Sequence, residues 1–399
     1  LALSPCGGGG GGDAGSAPAN PPPPQGSVYF DSTIYSAAAN ASLAQATELA
    51  AVTQHQIAVG VTPLAYTATA GHLTARHPTS DVPEASFFYV AYTLPNRDPA
   101  TRPVTFFYNG GPGSATVWLH LGSFGPKRLA TGDPSTSAPT PFPLVGNAET
   151  LLDLSDLVFV DAVGSGLSEA IAPSTNQSYW SVDADAAVFR DFVLRYLAVN
   201  QRSSSPLFLF GESYGTTRTG VLAFLLGLSG ARVNGVILQS SAPDYNAFCD
   251  VAVSCAGFVP TYGAVGAHYN LDTPNPADAE LPAFVAQMRT LTTSAYDPAV
   301  IQFLNAGTLP RAGLLDQLAS TTGMSAPNWQ AHFNLPPDFY QGHLLPGILI
   351  GRYDARVSAP MGSAVAREGD PSSTFITSSF ASAIGTYLAN DLQYTNPST

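Results

Sequence analysis

Four stretches of the chain are apolar without interruption: 104–108 (VTFFY), 157–160 (LVFV), 207–210 (LFLF) and 236–238 (VIL). Strands with one wet face alternate polar and apolar residues. Unbroken runs of strand length therefore predict strands covered on both faces, as in a parallel sheet between helices. The intervening segments have helical length. Residues 181–199 predict a helix with Ser181 as N-cap, Asp183 and Asp185 in the first turn, and Val182, Ala186, Phe189, Val193, Tyr196 and Leu197 on one face. After the third run, Val221, Leu222, Phe224, Leu225 and Leu228 have the spacing of a buried helix. A fifth short apolar run, 348–350, is expected to join the same sheet. The span before it, 246–341, shows helical patterns at 281–291 and 310–318 and no strand, which predicts a helical cap inserted over the carboxyl edge of the sheet.

Upstream, 27–56 is alanine-rich and predicts helix, whereas 61–73 and 86–94 carry the aromatic and β-branched residues of antiparallel strands. Residues 380–392 again predict helix. The expected organisation is a tether over 1–26, an α/β core over 27–245 and 342–399, and a cap over 246–341.

Composition narrows the function. Asp and Glu outnumber Lys and Arg by 28 to 15, for a net charge of -13 and no basic cluster, which argues against a nucleic-acid partner. No apolar run reaches the 18 or more residues that would span a bilayer. Charged residues make up only 11% of the chain, as expected for an extracytoplasmic protein solubilised by neutral polar groups. Cys249 and Cys255 lie six residues apart among small residues, and a short-loop disulfide is expected there, the alternative being two buried thiols. Cys6 follows LALSP and precedes six glycines, in a sequence that begins without methionine. Leu-Ser-Pro-Cys resembles the end of a bacterial lipoprotein signal peptide, although Pro5 stands where a small residue is usual. Cys6 is thus a candidate for lipidation and membrane attachment. The Gly- and Pro-rich stretch that follows cannot bury a core and reads as the tether.

The chemistry concentrates at strand ends. Directly after the run at 207–210 stands GESYG, a G-x-S-x-G pattern with Ser213 at its centre. A serine hydroxyl becomes a usable nucleophile when a sharp strand-to-helix turn projects it, and the flanking glycines allow neighbouring backbone to pass close by. After 104–108 comes NGGPGS (109–114), and around 157–160 lies DLVFVDAVGSGLSEA (156–170).

Together, in this order, the three motifs resemble the serine carboxypeptidase family of α/β-hydrolases. The resemblance covers about residues 87–354 and implies an α/β-hydrolase fold: a mostly parallel central sheet with helices on both faces and an inserted helical cap. It implies Ser213 as nucleophile, the amides of Gly111 and Tyr214 as oxyanion donors, and Asn109, Gly110 and Glu212 at the substrate's terminal carboxylate. Asp354, after the run at 348–350, is the implied triad acid. The family order requires a histidine beyond it. All seven histidines (His55, His72, His77, His120, His268, His332, His343) precede Asp354, so the expectation is a fragment lacking its base and hydrolysing poorly. A second family glutamate, two residues before Gly125-Pro126, is replaced by Ser123. Two such glutamates would share a proton, and its loss predicts a less acidic optimum and weaker carboxylate selectivity. A peptide is the implied substrate. No cofactor or metal is implied, and the oligomeric state is left open. The readings kept beside this one are an esterase or acyltransferase on the same site, and a non-catalytic binding shell.

Overall fold

The largest sheet among the described residues has eight strands. In chain order these include β1 (Ala50–Val59), β2 (Thr62–Arg76), β3 (Pro83–Thr93), β4 (Val104–Tyr108), β5 (Asp156–Val160), β6 (Leu207–Glu212) and β7 (Val233–Gln239). The eighth is Glu169–Ala170, paired with β3. The order across the sheet is β7-β6-β4-β5-β3-β2-β1. β7, β6, β4 and β5 are parallel, while β3, β2 and β1 form an antiparallel meander on the β5 side. This is the α/β-hydrolase arrangement, seen here in a computed structural model that describes residues 26–132, 142–249 and 252–398. The expected tether and Cys6 lie outside the described residues.

The unbroken apolar runs are explained by what covers each face. On one side, α1 (Val182–Val199) and α2 (Tyr214–Leu228) bring Phe189, Phe192, Tyr196, Leu222 and Leu226 against Phe87, Phe106, Tyr108 and Val158. On the other, α3 (Pro371–Asn390) brings Phe380, Tyr387 and Leu388 against a layer containing Phe88, Tyr92, Phe107 and Phe159. Each fully buried aromatic or aliphatic side chain is worth about 1.5–3 kcal/mol. The start of α1 follows the sequence signal: the Ser181 side chain accepts from the Ala184 amide, with Asp183 and Asp185 in the first turn.

Between Ala256–Phe258 and Pro337–His343 the chain forms a series of short helices joined by loops, which bury a separate cluster that includes Tyr262, Met288, Tyr296, Trp329 and Phe333. One helix coincides with the expected Leu281–Leu291, and the second expected pattern occurs as Ala312–Thr322. A disulfide joins Cys249 and Cys255 ahead of this cluster.

Four expectations are corrected. Residues 27–56 form no helix: apart from the two-residue strand Tyr29–Phe30, which pairs with Tyr394–Thr395, the chain is irregular up to Leu49 and then enters β1, because ten-residue pairing with β2 outweighs alanine's helical preference. The strand Ile348–Ile350 does not enter the large sheet but pairs antiparallel with Ser358–Pro360. Val236, Ile237 and Leu238 are not covered on both faces, because β7 is the outermost strand. On α2, Leu222 and Leu226 are buried, but Phe224 and Leu228 point to solvent.

The irregular start is fastened through Asp31, a buried carboxylate accepting from the phenols of Tyr35 (2.9 Å) and Tyr394 (2.8 Å). Burial pushes Asp31 up, but bonds from Thr33 and Tyr394 outweigh it and leave the group below its ordinary value. Beside it His72 is buried, which lowers it to about 4 and keeps it neutral.

Candidate active site

The turn from β6 into α2 is built around Ser213. Its backbone has φ 56° and ψ -124°, a left-handed conformation that a residue with a Cβ adopts only under constraint. The constraint is visible: the Ser213 amide donates to Gln239 O at the end of β7 (3.0 Å), and its carbonyl accepts from the Thr216 amide (2.8 Å) and hydroxyl (2.7 Å). Strand and helix meet so closely that a Cβ on Gly211 would come within 2.2 Å of Gly215 O. Glycine is required there for room. The result is a sharp elbow of the kind that would project a nucleophile, with the Tyr214 amide at the start of a helix, where intrahelical partners are lacking and the dipole favours negative charge.

The glycine loop after β4 lies against this elbow. A Cβ on Gly110 would stand 2.5 Å from Tyr214 N and 2.6 Å from Glu212 O, so the two backbones touch where the sequence places the candidate oxyanion donors. Asn109 Nδ2 donates to Glu212 Oε2 (3.0 Å), and Asn109 Oδ1 accepts from the Leu119 amide (3.2 Å). Ser213, Tyr214, Gly110, Asn109 and Glu212 are therefore brought together, with Gly111 next in the loop.

The third motif braces that loop. Asp161, just past β5, accepts from the Thr116 amide (2.7 Å), and Thr116 donates its hydroxyl to Val160 O (2.5 Å). Desolvation raises Asp161 to about 6, although hydrogen bonds from Thr116 and Leu167 oppose the shift. The signal was an aspartate at the end of a parallel strand. A cavity of about 480 Å³ borders the loop at Gly113 and Ser114, walled by Trp118, Phe159, Phe380 and Leu388.

Two expected components stand differently. Asp354 follows Ile348–Ile350, which lies outside the large sheet, so it is not at the end of a fifth main-sheet strand. Its carboxylate takes Nε (2.9 Å) and Nη2 (2.7 Å) of Arg356. The physical reason is that a three-residue apolar run signals burial without choosing a partner. The histidines are engaged elsewhere: His55 with Thr53, His72 with Leu167 O, His77 with Thr79, His120 with Tyr92, His268 against Tyr269, and His332 and His343 against Phe339. None of the seven hydrogen-bonds Ser213. At Ser123 the backbone carbonyl accepts from Asn147 Nδ2 (2.7 Å).

Strand order, strand-to-helix turn and abutting glycine loop define an α/β-hydrolase architecture. Residues 60–223, which hold the elbow and the glycine loop, match the serine carboxypeptidase family. No curated protein sequence matches significantly. Among solved structures, similarity is found to Kex1(delta)p, a prohormone-processing carboxypeptidase from Saccharomyces cerevisiae, at 19% identity and a TM-score of 0.35, over 65% of this chain and 53% of that one. The chain thus spans about half the length of that protein. A thermophilic esterase from Thermogutta terrifontis is similar at 15% identity and a TM-score of 0.27, over 56% of this chain and 67% of that one. A 2-hydroxy-6-oxo-6-phenylhexa-2,4-dienoate hydrolase from a Rhodococcus strain gives 14% and 0.26, over 62% and 78%.

Proposed function

We propose that this chain carries the nucleophile and oxyanion machinery of a serine carboxypeptidase-type hydrolase that releases C-terminal residues from peptides. The observation that carries the reading is the strained Ser213 turn packed against Gly110. In the proposed reaction Ser213 Oγ attacks the scissile carbonyl, and its proton passes to a general base, a role none of the seven histidines fills in this arrangement. Negative charge on the carbonyl oxygen is met by the Gly111 and Tyr214 amides, each such donor being worth about 3–4 kcal/mol. The amine leaves with a proton, and water then hydrolyses the acyl-serine. Asn109 and Glu212 face the terminal carboxylate. With Ser123 where a second acid would share Glu212's proton, recognition depends less on acid conditions.

The same proposal places the protein outside the cytoplasm, in keeping with the Cys249–Cys255 bridge and with Cys6 as a lipidation site. Full-length protein assayed on a blocked dipeptide and on a p-nitrophenyl ester, each with the Ser213→Ala control, tests the activity. Ser213-dependent release of the terminal amino acid supports the proposal. Turnover of the ester alone favours the esterase or acyltransferase reading, and no turnover together with no labelling by a fluorophosphonate favours the binding shell.

A further inference from the structure

A buried ion pair lies beneath the site and is used by none of the steps above. Asp185 of α1 and Arg218 of α2 are only 4% and 1% exposed, and Arg218 Nε donates to Asp185 Oδ2 at 2.8 Å. A buried ion pair is weak evidence of a stabilising role, because desolvation offsets the attraction. What distinguishes this pair is where its other bonds go. Arg218 Nη1 donates to the carbonyl of Asn109 (3.0 Å), the residue that opens the glycine loop. Asp185 Oδ2 also accepts from the phenol of Tyr214 (2.9 Å), the residue that follows the nucleophile. The guanidinium carbon sits 4.3 Å from the Phe189 ring centroid, 5.2 Å from that of Tyr108 and 5.3 Å from that of Tyr214, so its plane is fixed by aromatic faces.

One charged pair therefore holds both backbone segments that carry the candidate oxyanion donors. One arm reaches the Gly110-Gly111 segment through a carbonyl, and the other reaches the Tyr214 amide through its own side chain. We propose that Asp185 and Arg218 are positioning residues that set the separation between the Gly111 and Tyr214 amides. The proposal rests on the hydrolase reading for its purpose, but its geometry can be tested without turnover. Lysine cannot replace Arg218, because a single ammonium lacks the rigid fork that meets a carboxylate and a carbonyl from fixed directions. Separation of the donors matters in the transition state and not in substrate binding, so the effect falls on kcat.

The test compares wild type with Arg218→Lys and Tyr214→Phe by amide hydrogen exchange of the folded 399-residue chain, with global stability measured in parallel. Arg218→Lys is expected to speed exchange at least tenfold in both 109–116 and 213–217 while β1–β3 are unchanged. Tyr214→Phe removes one arm, and is expected to speed 213–217 while leaving 109–116 as in wild type. Unchanged exchange at both segments, or acceleration spread evenly over the sheet in step with lost stability, overturns the proposal. If Arg218→Lys does not fold, the arm-specific result with Tyr214→Phe decides. In the full-length protein, Arg218→Lys is expected to lower kcat on a p-nitrophenyl ester about 100-fold with KM within twofold; a fall confined to KM overturns the proposal. A wild-type protein without Ser213-dependent turnover overturns the hydrolase reading instead, and the exchange result still decides whether the pair holds the two segments.

Discussion

Adding one methyl group at Gly110 tests the contact between the two loops. In Gly110→Ala the new Cβ would stand 2.5 Å from Tyr214 N and 2.6 Å from Glu212 O, both backbone atoms that cannot rotate away. Ordinary contact begins near 3.4 Å, so the loop and the elbow must part by 3.4 - 2.5 = 0.9 Å. Donors in an oxyanion site work at about 2.7–3.1 Å, and a misplacement of about 1 Å costs about 100-fold in rate. Overpacking of this kind also costs about 1–3 kcal/mol of stability. In the full-length protein the second-order rate of Ser213 modification by a fluorophosphonate, read by intact mass, is therefore expected to fall about 100-fold. Thermal melting should still show a folded protein. A variant that melts within a degree of wild type and is labelled at the wild-type rate would refute both the abutment and its role.

Other outcomes follow from single residues. Ser213→Gly relieves a left-handed backbone costing about 1–3 kcal/mol, less the extra chain entropy of glycine, and is expected to raise stability by about 1 kcal/mol while abolishing turnover, as read by denaturant titration. Asp272, buried just after the helix Val259–His268 with neither carboxylate oxygen hydrogen-bonded, is raised by burial from 3.8 to about 7. Its folded form keeps the proton that the unfolded chain loses above pH 4, so its stabilising contribution is full below about pH 4 and is lost as the pH rises to about 7. Asp272→Asn should remove that slope and exceed wild type by about 4 kcal/mol at pH 8, checked by chemical denaturation across pH. Ser123→Glu should move the pH-rate profile of peptide release in the full-length protein toward acid, and an unchanged profile counts against the account of Glu212 given above.

The parallel strands β4, β5 and β6 were legible because both their faces are covered, which leaves an uninterrupted apolar run that needs no partner to be recognised. The elbow and glycine loop were legible because close backbone approach admits only glycine, at Gly211 and Gly110 among others. The start of the chain was not: alanine's helical preference suggested a helix at 27–56, whereas β1 exists through ten residues of pairing with β2 that no local pattern announces. Ile348–Ile350 failed for the same reason, since its apolar residues do not say which strand they will meet. Asp185 was read only as a charge favouring a helix start. Its partners Arg218 and Tyr214 lie about thirty residues away, and sequence spacing carries no information about such a meeting.

The free margin of β7 has a practical consequence. Val236, Ile237 and Leu238 run along it, 46%, 39% and 42% exposed, with Phe224 and Leu228 on the adjoining helix also in water. Among the described residues no strand pairs with its outer side. Unsatisfied amides and carbonyls beside greasy side chains form a template on which any extended peptide can lay itself down. Solutions of this chain should therefore thicken into oligomers as concentration rises, and a lysine at Ile237 should keep them dispersed.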